Sequence, residues 1–186
     1  MKPTATMQMP SKSTIGWEDL RRRQPSIPGL VTLIVLPMSL IPPAMLYYAG
    51  IHYGNDFAPG FGDKPWEYVA TIFFLAELLT FAVMGWLIYE LANTREARIS
   101  VHDAYLLAAI APVPLWLSGF ALSIPNLLAN IVVALAALAV SCSLVYTGLK
   151  GLCRVEEPLI AASCTYTIMA ACVMAWGLLL ALVWAF

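Results

Sequence analysis

Residues 69–91, VATIFFLAELLTFAVMGWLIYEL, form an apolar run of 23 residues with a carboxylate, Glu77, near its middle. A bilayer core of about 30 Å is crossed by about 20 helical residues, so the run reads as a transmembrane helix. The rest of the chain must then fold beside it in lipid. Composition agrees: 61% of the residues are apolar and 11% charged, where a soluble domain carries about 25% charged residues. Residues 1–28 hold Lys2, Lys12, Arg21, Arg22 and Arg23 but no apolar core. A cleavable signal peptide is therefore not expected, and the first hydrophobic helix should act as its own insertion signal.

Four further apolar segments follow the same logic, and the sequence predicts spans at about 29–51, 69–91, 104–122, 127–149 and 159–186. The first, GLVTLIVLPMSLIPPAMLYYAGI, contains Pro37, Pro42 and Pro43, and the third, AYLLAAIAPVPLWLSGFAL, contains Pro112 and Pro114. An interior proline removes a backbone donor. In lipid the freed carbonyls need partners on other helices or in a wet cavity. A kink or break is expected near 42–43 and again at 112–114. In span four, Ala136, Ala139, Ser143 and Thr147 fall on one helical face that another backbone can approach closely. Trp66 and Tyr68 at one end of span two and Trp86 and Tyr89 at the other suit two membrane interfaces.

The polar pieces are short. Residues 1–28 read either as an interfacial helix, with Trp17 at headgroup level and Arg21 to Arg23 near anionic lipid, or as a disordered basic tail. The loop at 52–65 carries His52, Asp56 and Asp63, whose spacing matches no metal-ligand pattern. In the connector at 92–103, Ser100 and Asp103 sit where a helix N-cap and its third residue belong, and Asn126 is placed to cap span four. His102 and Asp103, at the mouth of span three, suit helix-start capping or a pair that accepts a proton near neutrality. Glu156 and Glu157 suit the first turn of span five. The cysteines at 142, 153, 164 and 172 lack CxxC spacing and read as small packing residues. Cys153, between Lys150 and Arg154, is placed where those charges would depress its pKa.

Lys and Arg set the orientation. Nine fall in the N-terminal segment and the connectors at 92–103 and 148–158, against Lys64 alone on the other side. The positive-inside rule then puts the N-terminus in the cytoplasm and the C-terminus outside it. This bias also speaks against pairing with an inverted copy. The fold expected is all-α: a polytopic five-helix bundle over 29–186 behind a basic segment, 1–28.

Glu77 is the ionisable residue deepest in a span, and charge there costs about 2.5–3.5 kcal/mol on insertion scales. It has to be protonated, paired or facing a hydrated interior. One arrangement bonds it to a carbonyl freed by Pro42 or Pro112; another makes it a proton relay or a cation site. Ser39 in span one and Asn130, nearer the outer end of span four, are the candidates to meet it. No HExxH, GxSxG or P-loop pattern occurs, so no catalytic residue, metal or cofactor is expected, and no nucleic-acid partner.

LPMSLIPP at 36–43, HDAYLLAAIAPVPLWLSGF at 102–120 and VYTGLKGLCRVEEP at 145–158, followed by a long last helix, resemble the Yip domain family, in particular its bacterial inner-membrane branch. That resemblance implies a multi-pass protein of the inner membrane with five helices and a cytoplasmic N-terminus. Eukaryotic relatives are associated with trafficking and prenylated small GTPases, through an N-terminal region longer than the 28 residues here. The first reading is a scaffold or adaptor that organises protein or lipid partners, as an oligomer or with other membrane proteins. The alternative is a small-solute or ion transport or permeation protein built on Glu77 and the proline-broken helices, and a membrane-embedded enzyme acting on lipid comes third.

Overall fold

The computed structural model describes residues 12–94, 99–153, 155 and 157–185. Lys2, Arg95, Arg98, Arg154 and Glu156, which figured in the charge count and in the capping of span five, lie outside the described residues. Among the described residues every regular element is helical. Five of the helices are long and apolar enough to cross a membrane: Ile27–Phe57, Trp66–Thr94, Val101–Ser123, Leu127–Gly151 and Pro158–Ala185, spans one to five. Each extends past or up to the limits read from hydropathy at one or both ends, because capping residues rather than apolar ones start and stop them. Ser26, Ser100 and Asn126 each accept a backbone N–H of the first turn, from Gly29, Asp103 and Ala129, satisfying donors that the helix itself leaves open. The spans alternate in direction. The end of the bundle beside the N-terminus, the N face, therefore carries the connectors after spans two and four, and the distal face carries those after spans one and three.

Span one is not a uniform helix. Pro37 can offer no N–H to the carbonyl four residues before it, and its ring crowds that turn. The chain responds with a widened π-helical turn at Val31–Val35, closed by the Leu36 N–H on the Val31 carbonyl. The expected break at 42–43 falls instead at Leu40. Proline is favoured in the first turn of a helix, so Pro42 and Pro43 begin the second half, Ile41–Phe57, rather than interrupt it. Span three follows the same rule. It turns at Ala111–Pro112, restarts at Val113, and ends in a 3₁₀ stretch, Gly119–Ser123. The 3₁₀ end of span three packs closely on the start of the second half of span one: a Cβ added at Gly119 would lie 3.2 Å from the Pro42 Cα.

The N-terminal segment forms a helix over Lys12–Arg23, with Arg21, Arg22 and Arg23 in its last turn, where the helix dipole favours cations. It stops where Gln24 turns left-handed, at φ 40°, ahead of Pro25. Trp17 does not sit among headgroups. It is 4% exposed and its Nε1 donates to Thr147 Oγ1 at 3.1 Å, so the helix is tied onto the N-face end of span four.

The main core lies under that helix, with Leu106, Leu107, Leu149 and Leu152 fully enclosed. A smaller cluster at the distal face joins Phe61, Trp66, Val69 and Phe73 to Leu179 and Val183 of span five. There Trp66, read as a belt residue, is instead buried and donates to the Phe61 carbonyl at 2.8 Å. Lys64 reaches the Val183 carbonyl at 2.9 Å, supplying a donor and a positive charge to the end of span five.

Candidate functional site

Between the two clusters, at mid-bundle, is a cavity of about 160 Å³ to which all five spans contribute. Its polar lining includes Glu77 and Thr80 of span two, Ser118 of span three and Ser141 of span four, with Cys172 on span five. Pro42, Glu77, Pro112, Ser141 and Cys172 all fall within three residues of the middle of their spans, so the site lies near the bilayer midplane. Both proline breaks border it through Pro42 and Pro112, while Pro43 and Pro114 stand outside its lining. Pro112 has no N–H for the carbonyl of Ala108, itself a lining residue.

The hydroxyls of Thr80 and Ser118 donate to carbonyls of their own helices, at Ala76 (2.8 Å) and Leu115 (2.6 Å). Two buried atoms are left over. Glu77 Oε2 and Ser141 Oγ have no hydrogen-bond partner among the described residues, and Ser141 is 2% exposed. The bond from Glu77 to a carbonyl freed by Pro42 or Pro112 is therefore not made at Oε2. A buried polar atom without a partner costs about 1–3 kcal/mol, and native proteins keep few of them.

Phe73 and Trp116 are buried walls, Phe81 is half-buried, and Trp176 is 46% exposed and forms part of the rim. No Lys, Arg or His lines the cavity.

The other residues singled out from the sequence lie elsewhere. Ser39 is fully enclosed but outside the lining, with its hydroxyl on the Leu36 carbonyl at 3.4 Å. Asn130 is held at the distal end of span four, its Nδ2 donating to the carbonyls of Ile124 and Asn126. Neither lines the cavity with Glu77; the serines that do are Ser118 and Ser141.

His102 and Asp103 stand at the N face. The His102 Nε2 donates to the Pro25 carbonyl at 2.7 Å, and its Nδ1 lies 3.9 Å from Asp103 Oδ1. This fastens the start of span three to the chain ahead of span one. Ala136, Ala139 and Ser143 do not pack within the chain: all three are exposed on the outer surface of span four, and the inward face is Ser141, Val145, Gly148 and Leu149. Thr147, the fourth of that row, receives Trp17.

Cys153 also departs from expectation. It is 4% exposed, and burial, helped by the nearby Asp103 carboxylate and opposed by Arg21, pushes its thiol up to about 12. Burial outweighs the charge of Arg21 and leaves the thiol unactivated. Among the described residues no group of three or more His, Cys, Asp or Glu side chains could hold a metal.

The sequence profile of the Yip1 domain matches residues 5–183, all five spans and the N-terminal helix. The chain belongs to the Yip1 domain family. No curated protein and no solved structure matches it. This Yip1-domain chain is thus a multi-pass membrane protein whose most distinctive internal feature is the cavity around Glu77.

Proposed function

We propose that this Yip1-domain chain is a small-solute or ion transport or permeation protein whose solute meets Glu77 at the membrane midplane. One observation carries the reading: Glu77, whose buried Oε2 has no partner among the described residues, lines a cavity bordered by two proline-broken helices. Broken backbone at membrane depth is tolerated where it is buried in protein or lines a cavity, and substrate sites of transporters lie at such discontinuities. The reading assigns no catalytic residue, since binding and release suffice. The distribution of Lys and Arg supports a cytoplasmic N-terminus, and the resemblance to the bacterial branch supports the inner membrane as its location.

Reconstitution tests it. Solute-evoked currents are recorded on solid-supported proteoliposomes across a panel of small cations, anions and zwitterions, with wild type and Glu77→Gln compared at equal incorporation. At least one solute should give a current that Glu77→Gln abolishes. A panel with no Glu77-dependent current sinks the proposal.

A second reading, a scaffold or adaptor, is favoured by the exposed row of Ala136, Ala139 and Ser143, which suits close approach of a helix from another membrane protein or a second copy. It predicts that photoreactive groups along the N-terminal helix and the connector after span two trap a reproducible protein in native membranes. It also predicts that Glu77→Gln leaves that crosslink intact.

A further inference from the structure

We infer that the mid-membrane cavity binds a compact organic cation, an ammonium group carried on a hydrocarbon body about the size of one aromatic ring; the inference rests on the transport reading and names its substrate class. Size comes first. A cavity of about 160 Å³ is close to the roughly 150 Å³ apolar cavity that takes up benzene, so one ring and a small head group fill it. Charge is decided by what the lining omits. A carboxyl removed from water either keeps its proton or ionises against an opposite charge, and no lining residue is basic. The ionised form of Glu77 therefore needs a positive charge that arrives with the ligand, and a cation entering the cavity displaces the proton.

The aromatic walls favour the same class. Phe73, Phe81, Trp116 and Trp176 all line the one cavity, and aromatic rings attract cations, with Trp the strongest and the effect growing on desolvation. Ser141 Oγ supplies a further acceptor for an ammonium N–H, or a dipole toward a fully alkylated one. An anion would find no positive charge in the lining. A bare metal ion would find one carboxyl and the three hydroxyls of Thr80, Ser118 and Ser141, short of the six or more oxygens that Ca²⁺ or Mg²⁺ gathers. Trp176, lining the cavity while 46% exposed, gives such a ligand an aromatic surface at the opening.

The test uses an isosteric pair. Phenyltrimethylammonium and tert-butylbenzene have the same shape and differ by one charge. Binding of radiolabelled phenyltrimethylammonium to the purified full chain in nanodiscs is measured by equilibrium dialysis, with tert-butylbenzene as competitor. Saturable binding of one cation per chain is expected, with affinity reduced about ten-fold or more in Glu77→Gln and by several-fold in Trp116→Leu and Ser141→Ala. Tert-butylbenzene should compete at least about ten-fold less well than unlabelled cation. Size-exclusion profiles confirm that each variant is folded, and Ser141→Ala and Trp116→Leu keep the test open if Glu77→Gln is not. Equal competition by the neutral isostere, or full-affinity cation binding by folded Glu77→Gln, overturns the cation assignment. Absence of cation binding beside a Glu77-dependent current for another solute also overturns it, and leaves the transport reading standing. Absence of both removes the two together.

Discussion

The N face and the middle of the bundle handle buried polar groups in opposite ways. At the N face, Trp17 meets Thr147, His102 meets the Pro25 carbonyl, and Asn93 spans Ile99 by accepting its N–H at 3.0 Å and donating to its carbonyl at 3.4 Å. Around them Leu107, Leu149 and Leu152 are fully enclosed. At mid-bundle, Glu77 Oε2 and Ser141 Oγ have no partner among the described residues, and both residues line a cavity. One chain that satisfies its polar groups so thoroughly at one end and leaves two open in the middle is specialised, not poorly packed. The first region holds the helices together; the second is shaped for something that is not part of the chain.

Substitutions should separate the two regions. The largest effect is expected at the N face, where Leu149→Ala leaves a hole in the enclosed core. Soluble proteins lose about 2–5 kcal/mol for such a change. Here the lower part of that range applies, because lipid is as apolar as the core and only the packing share is lost. Thermal unfolding in detergent, followed by labelling of newly exposed thiols, should show a midpoint well below wild type. An unchanged midpoint would mean that the N face is not the stabilising half.

The opposite sign is expected in the middle. Glu77→Leu removes an unpartnered polar group and fills part of the cavity, so it should stabilise the bundle by about 1–3 kcal/mol while abolishing solute-evoked currents. Opposed changes in stability and activity mark a functional site. A Glu77→Leu variant less stable than wild type would show that the carboxyl is a structural member of the core, and the contrast between the regions would collapse.

How far these regions could be read from the sequence differs for physical reasons. The five spans follow from length and hydropathy, and the helix starts at Ser100 and Asn126 follow from capping chemistry, because both signals are local. Glu77 stood out because charge is rare at membrane depth. Its companion Ser141 did not, since a lone serine in an apolar helix carries no local mark; only the rotation of span four brings it to the cavity. The same rotation turns Ala136, Ala139 and Ser143 outward, although small residues at that spacing are equally suited to facing in. The break in span one was misplaced by two residues because proline was read as an interrupter where it begins a helix. The π-helical turn ahead of Pro37 is an answer to a clash that only the built helix reveals.

A finer probe of the N face is Trp17→Phe, which keeps the ring against Gly148 and deletes the Nε1 donor. A Cβ at Gly148 would lie 3.3 Å from the Trp17 ring, so the indole is closely seated. Loss of the single bond to Thr147 should cost about 1 kcal/mol, read as a small drop in midpoint. Trp17→Ala should drop it further and free the N-terminal helix for proteolysis. If Trp17→Phe and Trp17→Ala behave alike, the hydrogen bond rather than the ring seats that helix.

The smallest effect at neutral pH, and the one most specific to the packed half, belongs to Cys153. Burial raises its folded-state thiol to about 12, while an unfolded cysteine titrates near 8.5. Above about pH 8.5 the unfolded chain gives up a proton that the folded chain keeps, so unfolding becomes easier as pH rises, by about 1.4 kcal/mol per pH unit until the folded thiol itself ionises. Below about pH 8.5 both states are protonated and this dependence disappears. Because lysines and tyrosines also titrate at high pH, the measurement is the difference between wild type and Cys153→Ala. Unfolding midpoints from pH 7 to 10 should diverge only above about pH 8.5, with wild type falling faster. Parallel curves would mean that the thiol is solvated in the folded chain, and the N face would then be less tightly closed than the enclosure of Leu149 and Leu152 requires.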